Sequence, residues 1–291
     1  MNAAQPRKAS TVIVVRDHME VLLMQRSTHD SFMAKATVYP GGAVDEADAY
    51  PMLSNFSGGF DNKTAKAKLK NMGLDETDAS GFFFAAIREL FEEAFILFAK
   101  RISGEALNFS AEPELSRFKE YRKAIHDNKM TLVELAQKEG LIYKPDALTP
   151  FAHWITPVFQ KTRFDTRFFL AGLPEGQVAA HDNNELTSAA WMTPEDALDK
   201  NAAGEIKLMP PTLMTLTELA SFNSVTKLFM YASSKDIPII LPEAFAEGSI
   251  AGVRLPNDPA YSDSVLRLPS THREPSRVIL DNGLWRIISR D

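Results

Sequence analysis

The chain has 291 residues, 45% of them hydrophobic and 24% charged, the balance of an ordinary globular protein with one large domain or two small ones. It contains no cysteine, which excludes disulfides, thiolate metal sites and a cysteine nucleophile. Its net charge of −6 argues against a general nucleic-acid binder, which needs a basic footprint, but leaves room for a small anionic substrate, because a divalent cation reverses the local sign.

The opening apolar run, Ser10–Val15, stops at Arg16–Asp17, too short for a membrane span and without a signal-peptide cleavage pattern. The last three residues, SRD, match no targeting address, so the expectation is a cytoplasmic protein that engages neither nucleic acid nor membrane. Ser10–Val15 and Val21–Gln25 read as a hairpin, and Thr37–Tyr39 as a third strand closed by Pro40–Gly41–Gly42. From Ala43 to about Gly81 the composition turns to Asp, Lys, Asn, Ala and Gly. It reads as a surface insertion with a basic amphipathic helix over Lys63–Lys70.

After Gly81, apolar Phe83, Ile87, Leu90, Phe91 and Ala94 recur at spacings of three and four, the mark of a buried helical stripe. Helices are expected over Glu112–Asn128 and Thr131–Lys138, with Thr131 as N-cap and Glu134 three residues on. Strand character returns at Ala152–Thr156, Thr166–Ala171 and Ala189–Met192, the last running into a helix start at Thr193–Pro194–Glu195. Pro210–Pro211 opens a helix to about Ala220, and from about Val225 the chain mixes short strands with Pro and Gly. Strands interleaved with helices point to α+β, or to a three-layer α/β/α sandwich. The expected organisation is a main domain over residues 1–224, with the insertion at about 43–80 and a helical segment at about 112–140. A C-terminal extension over 225–291 is left as a cap on the sheet, part of a homodimer interface, or a small subdomain.

The chemically dense segment is Arg88–Glu89–Leu90–Phe91–Glu92–Glu93. On a helix Glu89, Glu92 and Glu93 share one side, and Arg88, four residues before Glu92, can pair with it and orient it. Three neighbouring carboxylates repel one another unless a cation stands among them, which suits a hard, oxygen-seeking ion such as Mg²⁺ or Mn²⁺. A short string of this kind also occurs as an ordinary solvated acidic face; the Gly-Gly turn after a strand upstream shifts the balance toward a site.

Gly42, the acidic residues after it, and RELFEEAFI resemble the Nudix box, a glycine, an acidic residue six positions on, then R-E-U-x-E-E-x-G-U with U aliphatic. Gly42 matches the box glycine, Asp48 stands at its first glutamate, and Arg88, Glu89, Glu92 and Glu93 match its second half. Two departures stand out: a long insertion separates Asp48 from Arg88, and Phe95 occupies the place of the second glycine. The insertion, together with QRSTHDSFMAKATVYPGGAVDEAD, TRFDTRFFLAGLP, Glu185, WMTPEDAL and Pro210–Pro211, resembles the subfamily that includes the peroxisomal coenzyme A diphosphatases, over roughly Ser10 to Phe222. Because a phenylalanine resists the backbone conformation a glycine takes at a helix end, the helix is expected to run on through Ile96–Ala99.

This resemblance implies a Nudix fold, a mixed sheet between helices, and metal-dependent hydrolysis of a nucleoside diphosphate-linked small molecule, coenzyme A or acyl-coenzyme A in the first instance. ADP-ribose, NADH or a nucleotide sugar is the alternative substrate, and a Nudix-fold binding module that has lost catalysis, suggested by Phe95, is the alternative of another class. It further implies Glu92 and Glu93 as principal metal ligands, Glu89 as a further ligand or the base, Arg88 as orienter, and the Gly42 carbonyl in the metal shell. Glu185, in the loop after His181, is either a further ligand or base, or an ordinary loop acid; Asp45, Glu46 and Asp48 read as surface acids. Arg26, Phe32, Arg163 and Arg167 are the expected substrate contacts, with His29 and Tyr39 behind them; singly, each also fits a paired surface arginine or a packed aromatic.

Overall fold

A computed structural model describes residues 4–26, 35–70, 79–109, 111–180, 186–269 and 275–288. The predicted hairpin is present as β1 (Arg7–Val15) and β2 (Val21–Arg26), antiparallel and joined at Val15↔Val21. β3 (Ala36–Val38) lies beside β2, and β4 (Gly41–Ala43) pairs with β1, so the Gly-Gly turn is itself a short strand. Strand periodicity sorts the two faces. Val12, Val14, Leu22 and Met24 enter one core cluster, while Ile13, Val15, Val21 and Leu23 enter the other.

The stretch predicted as a surface insertion is corrected in part. Short 3-10 turns at Glu46–Ala49 and Pro51–Phe56 lead to α1 (Asn62–Lys68), close to the predicted basic helix. Leu53, Ala65 and Leu69 are fully buried, however, and Phe60 meets Phe83 edge-on with ring centroids 4.9 Å apart. The polar composition hid a few anchoring apolar side chains, which seat this segment against α2 (Ala79–Ala94).

α2 is buried on nearly every side. From Ala79 through Ile87 no residue is exposed, and only toward its last two turns does a polar face emerge. The expectation that it continues past Phe95 is overturned. The helix ends at Ala94, and Phe95 takes the left-handed conformation itself, with φ +57°. Its N–H donates to the Phe91 carbonyl at 3.1 Å and the Ile96 N–H to the Leu90 carbonyl at 3.4 Å, closing a left-handed C-cap. What offsets the strain is burial: the ring stacks on Phe91 (5.7 Å, 21°), meets Phe109 at 5.1 Å, and has the Arg122 guanidinium 5.5 Å from its centre. A left-handed non-glycine residue costs about 1–2 kcal/mol, whereas a buried phenylalanine ring contributes about 3–5 kcal/mol. Phe95→Gly is therefore expected to destabilise the protein by about 2–3 kcal/mol, although it restores the conformationally easier residue. Urea denaturation checks this, and a variant as stable as the parent contradicts it.

Beyond α2, β5 (Ala99–Arg101), α3 (Glu114–His126), α4 (Leu132–Glu139) and β6 (Leu141–Tyr143) build a helical flank. Thr131 caps α4 in the expected box with Glu134. β7 (Thr149–Ile155) and β8 (Phe164–Gly172) are antiparallel, and β8 lies parallel to β1 along its whole length. β9 (Leu186–Met192) joins β2, then α5 (Pro194–Ala202), β10 (Lys207–Leu208) and α6 (Pro210–Leu219) follow. The result is a mixed sheet ordered β10-β3-β2-β1-β8-β7, with β4 beside β1 and β9 beside β2. α2 covers one face and α5 and α6 the other, as the α+β expectation had it.

After residue 224 there is a helix that periodicity did not reveal, α7 (Val225–Ser234), capped by Ser224. β11 (Ile239–Ile240) then pairs with β7, and β12 (Glu243–Glu247), β13 (Ile250–Arg254), β14 (Arg277–Asp281) and β15 (Leu284–Ile288) form an antiparallel meander. Val253, Leu255 and Val278 from this meander join the core cluster beneath α5 and α6. Among the described residues no helix is long and apolar enough to cross a membrane.

Candidate active site

The last two turns of α2 present Arg88, Glu89, Glu92 and Glu93 toward β4. Arg88 is the hub. Its Nε donates to Asp48 Oδ1 at 3.0 Å and its Nη2 to Asp48 Oδ2 at 2.9 Å and to the Ala43 carbonyl at 2.8 Å. Its Nη1 donates to Glu89 Oε1 at 2.9 Å and to Glu92 Oε1 at 3.1 Å. Asp48 is 1% exposed, so its reading as a surface acid is corrected. A capping box with Asp45 sets its carboxylate, the Asp45 N–H donating to Oδ2 at 2.9 Å.

The two glycines of β4 make the approach possible. A Cβ on Gly42 would lie 2.4 Å from Glu89 Oε1, so the missing side chain is the space the carboxylate occupies. Gly41, at φ +154°, donates its N–H to Glu93 Oε2 at 2.7 Å, fixing that carboxylate beside the strand as well. Arg122, on α3, donates to the Glu92 and Glu93 carbonyls at 2.7 and 2.9 Å. It thereby caps the C-terminal end of α2 with positive charge.

With Asp45 Oδ2 3.4 Å from its Nη2, the Arg88 guanidinium thus faces four carboxylates, those of Asp45, Asp48, Glu89 and Glu92. Burial pushes the Glu89 carboxyl up to about 7, with Arg88 opposing and Glu92 adding to the shift. Burial likewise raises Glu92 and Asp48, against the pull of Arg88 in both cases. Burial works against the charge of Arg88 too, but its bonds to Asp48 and the field of Glu89 and Glu92 outweigh it, and the arginine is held charged. His126 Nδ1 stands 3.6 Å from Glu92 Oε2.

Carboxylate oxygens are the donor set of a hard divalent cation, and such an ion would offset the burial that lifts Glu89. The residues therefore suit a hard divalent cation. Among the described residues no three acidic or histidine side chains gather around one point, because Arg88 bonds to both Glu89 and Glu92 and draws them to itself. Glu185 lies outside the described residues.

The raised Glu89 has a measurable consequence for the metal-free protein. A carboxyl whose folded pKa exceeds its unfolded value of 4.5 favours the folded state at low pH, and that contribution is lost as pH rises through about 7. With one pKa unit worth about 1.4 kcal/mol, Glu89→Gln is expected to flatten the loss of stability between pH 5 and pH 8 by about 2–3 kcal/mol. Urea midpoints in EDTA at the two pH values check this; parallel losses in parent and variant contradict it.

The carboxylates open onto a cleft of about 580 Å³. Arg26, Tyr39, Asp45 and Gly42 line it, as does His126, which no sequence pattern signalled. Two of the expected substrate contacts are elsewhere. Arg163 is buried, donating through Nε to the Thr156 carbonyl at 3.0 Å and through Nη1 to the Ala4 carbonyl at 2.6 Å, so it ties the segment before β1 to the connection between β7 and β8. Arg167 is 1% exposed on the α2 face, bonded to Asp165 and His153 with its guanidinium over Phe82. Strand alternation turned Arg167 toward α2, while Arg163, just before β8, is taken up by two backbone carbonyls; in sequence a phosphate-binding arginine and a bracing arginine look alike. Phe32 and His29 lie outside the described residues.

The NUDT19 Nudix domain family matches residues 1–219. The chain is 28% identical over 281 residues to the acyl-coenzyme A diphosphatase NUDT19 of Gallus gallus, covering 84% of this chain and 74% of that protein. It is 29% identical over 299 residues to the protein of the same name from Homo sapiens, covering 89% and 77%. Among solved structures, a Nudix hydrolase from Alicyclobacillus acidocaldarius superimposes with a TM-score of 0.64 at 24% identity. The match covers 79% of this chain and 97% of that one.

Proposed function

The chain belongs to the NUDT19 Nudix domain family, and from that premise we propose that it is a metal-dependent diphosphatase of coenzyme A or acyl-coenzyme A. The observation that carries the chemistry is the Arg88-centred cluster, in which one largely buried guanidinium positions Asp48, Glu89 and Glu92 at the edge of a cleft. The substrate class rests on the activity named for the relatives.

Glu92, Glu93 and Glu89, with the Gly42 carbonyl, are the groups that would hold Mg²⁺ or Mn²⁺. Bound there, the ion would neutralise the diphosphate and lower the pKa of an attacking water. Arg88 keeps Glu89 and Glu92 from rotating away, and Gly41 does the same for Glu93. Glu89, held by Arg88 at the edge of the cleft, would serve either as a further ligand or as the base that takes the water's proton. Arg26 is the described arginine of the expected set that faces the cleft and is suited to a phosphate.

The reading as a non-catalytic module drew on Phe95. That ground is gone, since Phe95 performs the helix-ending turn and leaves the carboxylates in place. The deciding experiment assays coenzyme A, ADP-ribose, NADH and a nucleotide sugar with Mg²⁺ or Mn²⁺. The expected result is cleavage of coenzyme A to 3′,5′-ADP and 4′-phosphopantetheine, abolished by EDTA. Turnover of ADP-ribose without turnover of coenzyme A would sink the assignment.

A further inference from the structure

Strand pairing places a second arginine beside the carboxylates. Ala9 on β1 lies opposite Ala43 on β4, and one step further the Val44 N–H donates to the Lys8 carbonyl at 2.9 Å, which brings Asp45 level with Arg7. On its other side Arg7 lies opposite Phe164, and Phe164 opposite Thr156, whose N–H donates to the Phe164 carbonyl at 2.8 Å. Asp45, Arg7, Phe164 and Thr156 thus stand side by side, and all four line the cleft.

Strand alternation fixes the face on which Arg7 lies. Ser10 donates to the Phe82 carbonyl and so faces α2, whereas Ile13 and Val15 enter the core on the opposite face. Arg7 shares the parity of Ile13 and Val15, as do the cleft residues Ala9 and Thr11. It is exposed there, and among the described residues no carboxylate is bonded to its guanidinium. Asp45, the acid level with it, is instead drawn to Arg88, with Oδ2 3.4 Å from Nη2.

The backbone beneath Arg7 is fixed. Its N–H donates to the Arg163 carbonyl at 2.9 Å, and the Arg163 side chain holds the Ala4 and Thr156 carbonyls on either flank. An unsatisfied guanidinium on a braced strand is a ready fork for a phosphate. Beyond Thr156, the β7–β8 connection brings Phe159 to the same cleft, 54% exposed, a ring on which a base can stack.

We propose that Arg7 binds the phosphate carried on the ribose of the nucleoside arm, and so determines the preference for coenzyme A over nucleoside diphosphates that lack it. This rests on the function proposed above and narrows its substrate class. With the diphosphate at α2 and β4, the ribose is the next group along the nucleoside arm, and its 3′-phosphate hangs one sugar away. Arg7 stands one strand spacing, about 4.8 Å, from β4, with the length of its own side chain to extend the reach. The pantetheine arm offers amides and methylenes, which would cover the guanidinium without supplying a counter-charge, whereas a phosphate supplies one. Arg88 cannot take this part, because its donors are engaged by Asp48, Glu89, Glu92 and the Ala43 carbonyl.

The test compares kcat/KM for coenzyme A and for 3′-dephospho-coenzyme A, which differ only in that phosphate, in the parent and in Arg7→Gln, with the full chain and Mg²⁺. The parent is expected to favour coenzyme A about tenfold or more, the size of one charge-assisted contact, and Arg7→Gln to lose that preference through coenzyme A alone. Calorimetric binding of 3′,5′-ADP against 5′-AMP reads the same contact without turnover, and Arg7→Gln should weaken only the first. A parent that cleaves neither coenzyme defeats the functional reading and this inference together. A parent indifferent to the phosphate, or an Arg7→Gln variant that loses both substrates alike, overturns the inference alone.

Discussion

Replacing Glu92 and Glu93 together by glutamine is expected to lower turnover at least about 100-fold, since even groups that only support a metal's ligands cost 10–100-fold when lost. Stability should not fall with it. Glutamine keeps an oxygen that can accept the Arg88 Nη1–H in place of Glu92 and the Gly41 N–H in place of Glu93. It also removes negative charge from a cluster in which burial already raises Glu89, Glu92 and Asp48. The metal-free double variant is accordingly expected to melt no lower than the parent at pH 8. The rise in melting temperature that Mg²⁺ or Mn²⁺ brings to the parent should be absent from it. Turnover within a few-fold of the parent, or an undiminished metal-induced shift, would remove these two residues from the site.

Arg88→Met is expected to be the most destabilising single change in the cluster, at about 3–5 kcal/mol, the range for removing one partner of a buried charge network. Its guanidinium reaches Asp48, Glu89, Glu92 and the Ala43 carbonyl at once, a fork that lysine cannot reproduce, so Arg88→Lys should recover little. The loss has a definite pH dependence. Without Arg88 the folded pKa values of Asp48, Glu89 and Glu92 rise further, and stability drawn from their protonation is present at low pH and lost as pH rises. The deficit should therefore be larger at pH 8 than at pH 5. Pairing Arg88→Met with Asp48→Asn should recover part of it, because the carboxylate most deeply buried is then neutral. Urea denaturation of the three proteins at both pH values measures these differences; a deficit under 1 kcal/mol at pH 8 would show that the network contributes little.

Phe95 illustrates how local propensity and tertiary packing compete. Propensity argues that phenylalanine cannot end a helix in the left-handed region, and the expected continuation to Ala99 followed from it. The ring's burial against Phe91 and Phe109 outweighs that preference. The missed helix at Val225–Ser234 has a comparable origin, since a ten-residue helix amid Pro- and Gly-bearing strands offers too few turns for its period to stand out.

What the sequence determined by itself was whatever depends on neighbours a few positions apart. The apolar, β-branched run of Val12–Val15 marked a strand, the Thr131–Glu134 spacing capped α4, and the Arg88, Glu89, Glu92, Glu93 spacing put one arginine among three carboxylates on a helix. What only the tertiary structure decided was which distant residues complete those local patterns. Asp48 meets Arg88 across forty positions, Gly41 meets Glu93 across fifty-two, and Trp285 reaches the cleft from the far end of the chain. It also assigned Arg163 and Arg167 to bracing rather than to substrate, because the side of a strand on which a charge finds its partner is set by packing. Spacing along the chain encodes the face of a helix or strand, whereas the partner across the fold is chosen by burial and charge together, and neither has a local signature.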